Sequence, residues 1–439
     1  MRGREVTLRH LIPAVAVLAL ALAAPAQAQR SASLGRFSLF YNFDGRHEDA
    51  GGTTDFSMLT AYIDLHSPAN AESGLEYSID ARATGYPSSD RDARISLYDA
   101  YVGGSLLGGK LGVRVGQMWL NELGALGSVG GAGVEYRHQT AAGTRYRAGL
   151  FGGLEPLHFD TGYASGVRKG GIWAAYDGHA ARRHVLAFVA IQNEGVKERS
   201  VISTTNFIPA GKSFFLYQIA EYDLHGPGGS GSGDLSYFFA TARVLPVAAV
   251  ELQLNYHQGR SIDARSITND IVDGRPVDPR LLEGYLFESV GGRVSVNVSR
   301  TVRVHAAYAQ EKNNREDTAY PRVSGGVSVR DVLGSGVDVT TYASRVDREL
   351  GPYTSVYASI GRSLGTRWYV SADYTSSLSV LRITSGGGSV VETRPQAERY
   401  GLSTQVNLGR RFSLFLNLER LEEDTAHEDR LATGLSVRF

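Results

Sequence analysis

From Phe37 onward the chain repeats one pattern. Segments of roughly 9–12 residues alternate apolar and polar side chains, then break at Gly, Asn, Asp, Pro or Ser. Within Arg411 to Leu421, Phe412, Leu414, Leu416 and Leu418 share one face, with Ser413, Asn417 and Glu419 on the other. Tyr400, Leu402, Thr404, Val406 and Leu408 oppose Arg399, Ser403, Gln405 and Asn407. Trp368, Val370, Ala372 and Tyr374 oppose Arg367, Ser371 and Asp373, and Val250, Leu252, Leu254 and Tyr256 oppose Glu251, Gln253, Asn255 and His257. A period of two sends successive side chains to opposite faces of a strand. No stretch beyond residue 28 carries a comparable helical period, so the expected fold class is all-β.

A soluble sandwich also alternates, and three features separate it from a membrane barrel. The polar face carries charge in mid-strand, at Glu76, Asp80 and Arg82, then Arg293, then Arg303 and His305. The set expected to line the lumen is Glu76, Asp80, Arg82, Arg114, Arg147, Glu251, Arg293, Arg303, Arg367, Asp373, Arg399 and Glu419. Such residues suit a wet lumen while their apolar neighbours face lipid. Aromatic residues fall near segment ends, as at Phe37, Phe43, Trp119, Tyr256, Tyr308, Trp368 and Tyr374, where amphipathic rings would sit at headgroup level. Connections alternate short and long: Ser299-Arg300, Ser363 to Thr366 and Gly409-Arg410 are tight, whereas 153–170, 260–282 and 378–397 are long and polar.

The expectation is a single transmembrane antiparallel up-and-down β-barrel. Closure is forced, because an open sheet edge in hydrocarbon leaves backbone donors and acceptors unsatisfied. Counting back from Phe439 gives 22 segments. The least regular of these are 131–138, 171–178 and 197–207, which leaves 20 or 18 strands as alternatives to 22. Alternation begins within about ten residues of position 29, which leaves no room for a plug domain. A barrel this wide encloses an aqueous passage unless something fills it, and the 260–282 or 153–170 loop is the candidate constriction.

The N-terminus reads differently. Arg2, Arg4 and Arg9 precede the apolar run from Leu11 to Ala24, and Ala26-Gln27-Ala28 supplies a small-x-small cleavage pattern. Residues 1–28 are therefore expected to be a cleaved secretory signal peptide and 29–439 the barrel. Removing three arginines and one glutamate with it leaves 42 basic and 44 acidic residues, a mature charge of −2. That balance argues against a nucleic-acid partner. With no cysteine in 439 residues, disulfides, thiolate metal sites and covalent haem attachment are excluded. The 52 glycines and 13 prolines suit a sheet with many tight turns, since glycine turns freely and proline deletes a ladder hydrogen bond.

The signal peptide, the alternating strands and the final segment from Leu431 to Phe439 together resemble a Gram-negative outer-membrane β-barrel of porin type. In that family the last strand ends in an aromatic residue, usually Phe, preceded by apolar residues at alternate positions. Here Phe439, Val437, Leu435, Thr433 and Leu431 keep that register. The resemblance implies outer-membrane localisation, contact with lipid and lipopolysaccharide, and Phe439 as a signal to the barrel-assembly machinery. It covers residues 29–439 and rests on architecture; it implies no particular substrate.

No zinc-protease, P-loop or nucleophile-elbow pattern occurs. His47, Glu48 and Asp49 lie in the first outside loop without the ligand spacing of a dedicated metal site. Asp263, Asp270, Asp273 and Asp278 lack calcium-loop spacing and read as solvent-facing or lipopolysaccharide-bridging groups. Asp223 and His225 are the one compact acid–His pair, with no serine partner. No catalytic residue, cofactor or metal is therefore expected. The leading functional expectation is a passive channel for small hydrophilic solutes. The alternative is a sleeve resembling outer-membrane electron conduits, housing a periplasmic multihaem cytochrome. A barrel enzyme is a minor third.

Overall fold

A computed structural model of the chain describes residues 34–439 apart from 68–73, 158–159, 227–228, 230–232, 317, 349–350 and 385–389. The expected signal peptide over residues 1–28 lies outside the described residues. The first strands are β1 (Leu34–Glu48), β2 (Thr53–His66), β3 (Leu75–Gly85), β4 (Arg94–Leu106), β5 (Leu111–Trp119), β6 (Ser128–Gln139), β7 (Arg145–Pro156) and β8 (Tyr163–Asp177). They continue as β9 (Arg183–Asn193), β10 (Val196–Ala210), β11 (Phe214–His225), β12 (Asp234–Val247), β13 (Val250–Ser261), β14 (Tyr285–Asn297), β15 (Val302–Asn313) and β16 (Tyr320–Val329). The last are β17 (Val337–Arg348), β18 (Gly351–Leu364), β19 (Trp368–Ser379), β20 (Leu381–Thr384), β21 (Val390–Thr393), β22 (Gln396–Leu408), β23 (Phe412–Glu423) and β24 (Ala426–Arg438).

Among the described residues, 22 of these strands form one sheet, and β20 with β21 forms a separate hairpin. Each barrel strand pairs antiparallel with the next. β1 closes onto β24, from Arg36 opposite Arg438 to Glu48 opposite Ala426. All 22 alternating segments overlie one strand each, the irregular 131–138, 171–178 and 197–207 being β6, β8 and β10. The described residues include no plug domain. At the seam Phe439 and Gly35 exchange two backbone hydrogen bonds of 3.1 Å. The Phe439 ring lies across Gly35, where a Cβ would fall 2.4 Å from Cε2, so the terminal aromatic covers the gap left by a glycine.

Two local expectations change. The long polar loop expected at 153–170 is mostly strand, since β7 runs to Pro156 and β8 begins at Tyr163. A bulge between Leu154 and Glu155 shifts the register and lets Pro156 pair with Tyr163. The glycines at 152–153 and 170–171 offer no side chain from which a period can be read. The rhythm of connections is also looser than expected, because the rim with long loops carries tight turns at 194–195 and 424–425 as well. The fold class is all-β, and the loop at 262–284 adds two short helices, α1 (Ala264–Val272) and α2 (Pro279–Glu283).

The two faces of the wall are chemically distinct. Phe412, Leu414, Leu416 and Leu418 point outward and are exposed, as are Leu252, Leu254, Val290, Val294, Val356 and Ile360. Along β9, Leu186 is 58% exposed while its neighbour Val185 is 4% exposed. The outward band ends at a row of tyrosines. Tyr374 stacks near Tyr400 with centroids 5.2 Å apart, and the Tyr400 hydroxyl donates to Glu398 at 2.6 Å. The Tyr256 hydroxyl likewise donates to Glu288 at 3.0 Å. Each ring meets the apolar band while its hydroxyl reaches a polar level above, which is the geometry of an interfacial girdle. Among the described residues no helix is long and apolar enough to cross a membrane; the crossing elements are strands.

Candidate functional site

Eleven of the twelve expected lumen positions lie within strands on the face opposite the apolar band: Glu76, Asp80 and Arg82 on β3, Arg114 on β5, Arg147 on β7, Glu251 on β13, Arg293 on β14, Arg303 on β15, Asp373 on β19, Arg399 on β22 and Glu419 on β23. Arg367 instead sits exposed in the turn between β18 and β19. Alternation continues by one residue into a turn as readily as it ends before it, so the period alone does not mark that boundary.

The structure gathers these groups into clusters of opposite sign. Glu76 binds Arg114 Nε at 3.0 Å and Arg137 Nη1 at 2.7 Å, and Glu135 bridges Arg137 at 3.2 Å, Arg114 at 3.5 Å and Arg147 at 3.6 Å. Glu251 lies 3.1 Å from Arg303 and 3.3 Å from Arg243. Arg399 links Asp373 at 3.1 Å with Glu419 at 3.5 Å. Asp80 accepts from the Tyr62 hydroxyl at 3.0 Å, and Arg82 Nε donates to Thr84 at 3.2 Å. Arg293 stands in mid-strand, level with Gln253 and Ala307. Pairing across neighbouring strands reconciles many inward charges with one wall. Each water-facing pair contributes only about 0–1 kcal/mol.

One sector of the interior is not polar. Val185, Ala187, Val189 and Ile191 of β9 point inward beside Trp173 and Ala175 of β8, Phe151 of β7 and Val201 of β10. They are covered by the β5–β6 connection, a 3-10 turn at Asn121–Gly127 whose Leu123 and Leu126 join the same buried cluster. This turn follows the end of β5, yet Glu122 binds Arg147 at 2.5 Å and Arg183 at 3.1 Å. Those arginines stand at the starts of β7 and β9, strands that run in the same direction as β5. The connection therefore folds down inside the barrel. Apolar–polar alternation does not mark this turn, although Leu120, Leu123 and Leu126 recur every three residues, the repeat of a 3-10 helix. Nor does it single out Glu122, Glu135 and Arg137.

Arg147 is held from several sides, by Glu122, by Asp177 at 3.0 Å and by the face of Trp173 at 5.4 Å. The Trp173 ring lies over Gly149, where an added Cβ would fall 2.6 Å from Nε1. Gly149→Val is expected to displace the ring and destabilise the barrel by about 1–3 kcal/mol. Denaturant unfolding in micelles measures that, with loss of tryptophan fluorescence as the local signal.

The second inward element is α1. Arg265 binds Glu198 at 2.9 Å and also Glu155, Asn269 accepts from Asn193 at 2.8 Å, and Ile267 is fully buried. Asn193, Glu155 and Glu198 lie near the rim ends of β9, β7 and β10, so α1 narrows the mouth on the same side as the buried turn. Of the four aspartates in this loop, Asp263 is the N-cap, accepting from Ser266 N at 3.0 Å and from its hydroxyl at 2.7 Å. Asp270 and Asp273 pair with Arg275 at 2.9 and 2.8 Å. The Ser266 hydrogen bonds hold the Asp263 carboxyl below its ordinary value. Its capping contribution is therefore complete above the ordinary carboxylate range and is lost as pH falls through the depressed value. Asp263→Ala is expected to weaken α1 by about 1 kcal/mol at neutral pH. Hydrogen exchange of the α1 amides reads this, and the difference from wild type should vanish in strong acid.

Asp223 and His225 do not form an acid–base pair. Asp223 accepts from Arg199 Nε at 2.8 Å. Successive residues Ser200 and Val201 face His225 and Asp223 respectively across a bulge, which sends the two side chains to opposite faces.

A closed sheet with an outward apolar band, a tyrosine girdle and a charged interior has the architecture of a transmembrane β-barrel of the outer membrane. No family model and no curated protein matches the sequence. Similar solved structures include OccK3 (OpdO) of Pseudomonas aeruginosa, 12% identical over 93% of this chain and 96% of that one, with a TM-score of 0.41. OccAB3 of Acinetobacter baumannii is 8% identical over 93% and 99% of the two chains, with a TM-score of 0.42.

Proposed function

We propose that the protein is a passive outer-membrane channel for small hydrophilic solutes. The observation that carries this reading is the inner wall, where charges of both signs line a closed barrel and pair across strands. Such a surface keeps water in the lumen. Because acids and bases largely neutralise one another, ion selectivity is weak. The β5–β6 turn and α1 narrow one side and set a size limit. Both occupy space that a haem protein would need, which favours a channel over a sleeve. Charged residues above the tyrosine row support lipopolysaccharide as a neighbour, and the Phe439 contact at the seam supports its reading as the assembly signal.

Reconstitution of the purified protein in planar bilayers tests the channel. Stepwise conductance with a near-equal preference for cations and anions is expected. A correctly folded barrel that gives no steps overturns the reading.

A further inference from the structure

The closing seam carries a cluster that the channel does not use. Above the last apolar row, formed by Phe43, Leu431 and Leu418, the next outward row is Gly45, Asp429 and Arg420, and the next is His47, His427 and Glu422. His47 and His427 are directly paired across β1 and β24, their rings stacked with centroids 4.9 Å apart and planes 26° apart. One ligand atom each from His47, His427 and Asp429 lies within 4.8 Å of the other two. All three are partly accessible and stand above the lipid-facing band, within reach of ions from the medium.

We propose that His47, His427 and Asp429 form a binding site for a divalent transition-metal ion of the zinc(II) type, which staples the first strand to the last. The donor set of two imidazoles and one carboxylate suits zinc and its neighbours, and not calcium or magnesium, which require oxygen ligands. Ligands about 2.1 Å from a tetrahedral ion are about 3.4 Å apart, so closing the triad takes roughly 1 Å of side-chain adjustment. The backbone supports it. His47 Nδ1 lies 3.3 Å from Thr53 Oγ1, a contact that orients the ring and leaves Nε2 for an ion. Asp49 N donates to Thr425 O at 3.0 Å, tying together the two turns that flank the histidines. Gly45, opposite Asp429, presents no side chain between that carboxylate and His47. Arg420 approaches Asp429 only to 3.8 Å and binds Glu422 more closely at 2.9 Å, so it does not neutralise the carboxylate fully. An ion here joins the first strand to the last and binds only the closed state, so it raises stability by mass action.

The test uses the untagged full-length protein folded in detergent, titrated with zinc(II) against a chromophoric competitor. One site per chain is expected. His47→Ala and His427→Ala should each weaken it at least tenfold and abolish the zinc-induced rise in the unfolding temperature. Zinc should also protect His47 and His427 of the wild-type barrel from diethylpyrocarbonate, a measurement that does not depend on the variants folding. Unchanged binding in both variants, no protection of either histidine, or displacement of zinc by equimolar calcium would overturn the proposal. Channel conductance is a separate readout, so failure here leaves the channel reading standing.

Discussion

Replacing residues 263–282 with a short glycine–serine turn is expected to raise single-channel conductance several-fold and to leave the barrel folded. The barrel survives because β13 and β14 remain paired to their ends, Ser261 opposite Tyr285, and Gly284 is kept. Gly284 must stay, since its φ is +67° and a Cβ there would fall 2.7 Å from Ser261 O. Conductance rises because α1 leaves the mouth, where Arg265 and Asn269 fasten it to β7, β9 and β10. Arg265→Ala gives the milder result, a flickering open state, since Ile267 and Asn269 still hold the helix. An unchanged conductance in the deletion would mean that the narrowest point lies at the buried β5–β6 turn instead.

Val189→Asp is expected to destabilise the barrel by about 3–5 kcal/mol, the cost of an uncompensated charge in a dry site. Val189 has no exposed surface, although it faces the interior of the barrel. The residues around it, Phe151, Val201 and Leu123, are apolar and buried. The matched control is Ser403→Asp on β22, where the inward Ser403 bonds Ser371 at 3.1 Å on the open side of the lumen. A carboxylate there remains hydrated and costs about 0.5 kcal/mol or less. Equilibrium unfolding in urea compares the two. Equal costs would show that the β5–β6 turn does not seal its sector from water.

The barrel itself was legible because a membrane wall has the simplest possible pattern. One face meets lipid and the other meets water, so Leu414, Leu416 and Leu418 alternate with Ser413, Asn417 and Glu419, Phe415 alone breaking the polar face. The paired charges were legible one at a time but not as pairs: Arg399 with Asp373 requires knowing which strand lies beside which. The dry sector was hidden for a physical reason. On β8 and β9 both faces are apolar, one toward lipid and one toward the inserted turn, so alternation disappears where the structure is most enclosed. Lys169 shows the converse. It is 5% exposed and lies 3.8 Å from Glu155 in the wall beneath α1, and its sequence neighbourhood of glycines conceals the strand it belongs to. The outer histidine cluster is a seam property. His47 and His427 stand at opposite ends of the chain and meet only when the sheet closes.

The seam also imposes an order in time. Its pairs, from Arg36 with Arg438 to Glu48 with Ala426, join the first described strand to the last. While β24 is still being synthesised, β1 has no partner on one side, and no earlier strand can substitute without breaking the ring. Contacts this distant in sequence form slowly, and an unpaired edge invites other chains during the wait. Until the last strand arrives, both edges of the sheet therefore stay open, each with unpaired backbone donors and acceptors. Phe439, far from Gly35 along the chain, meets it only when the ring is closed.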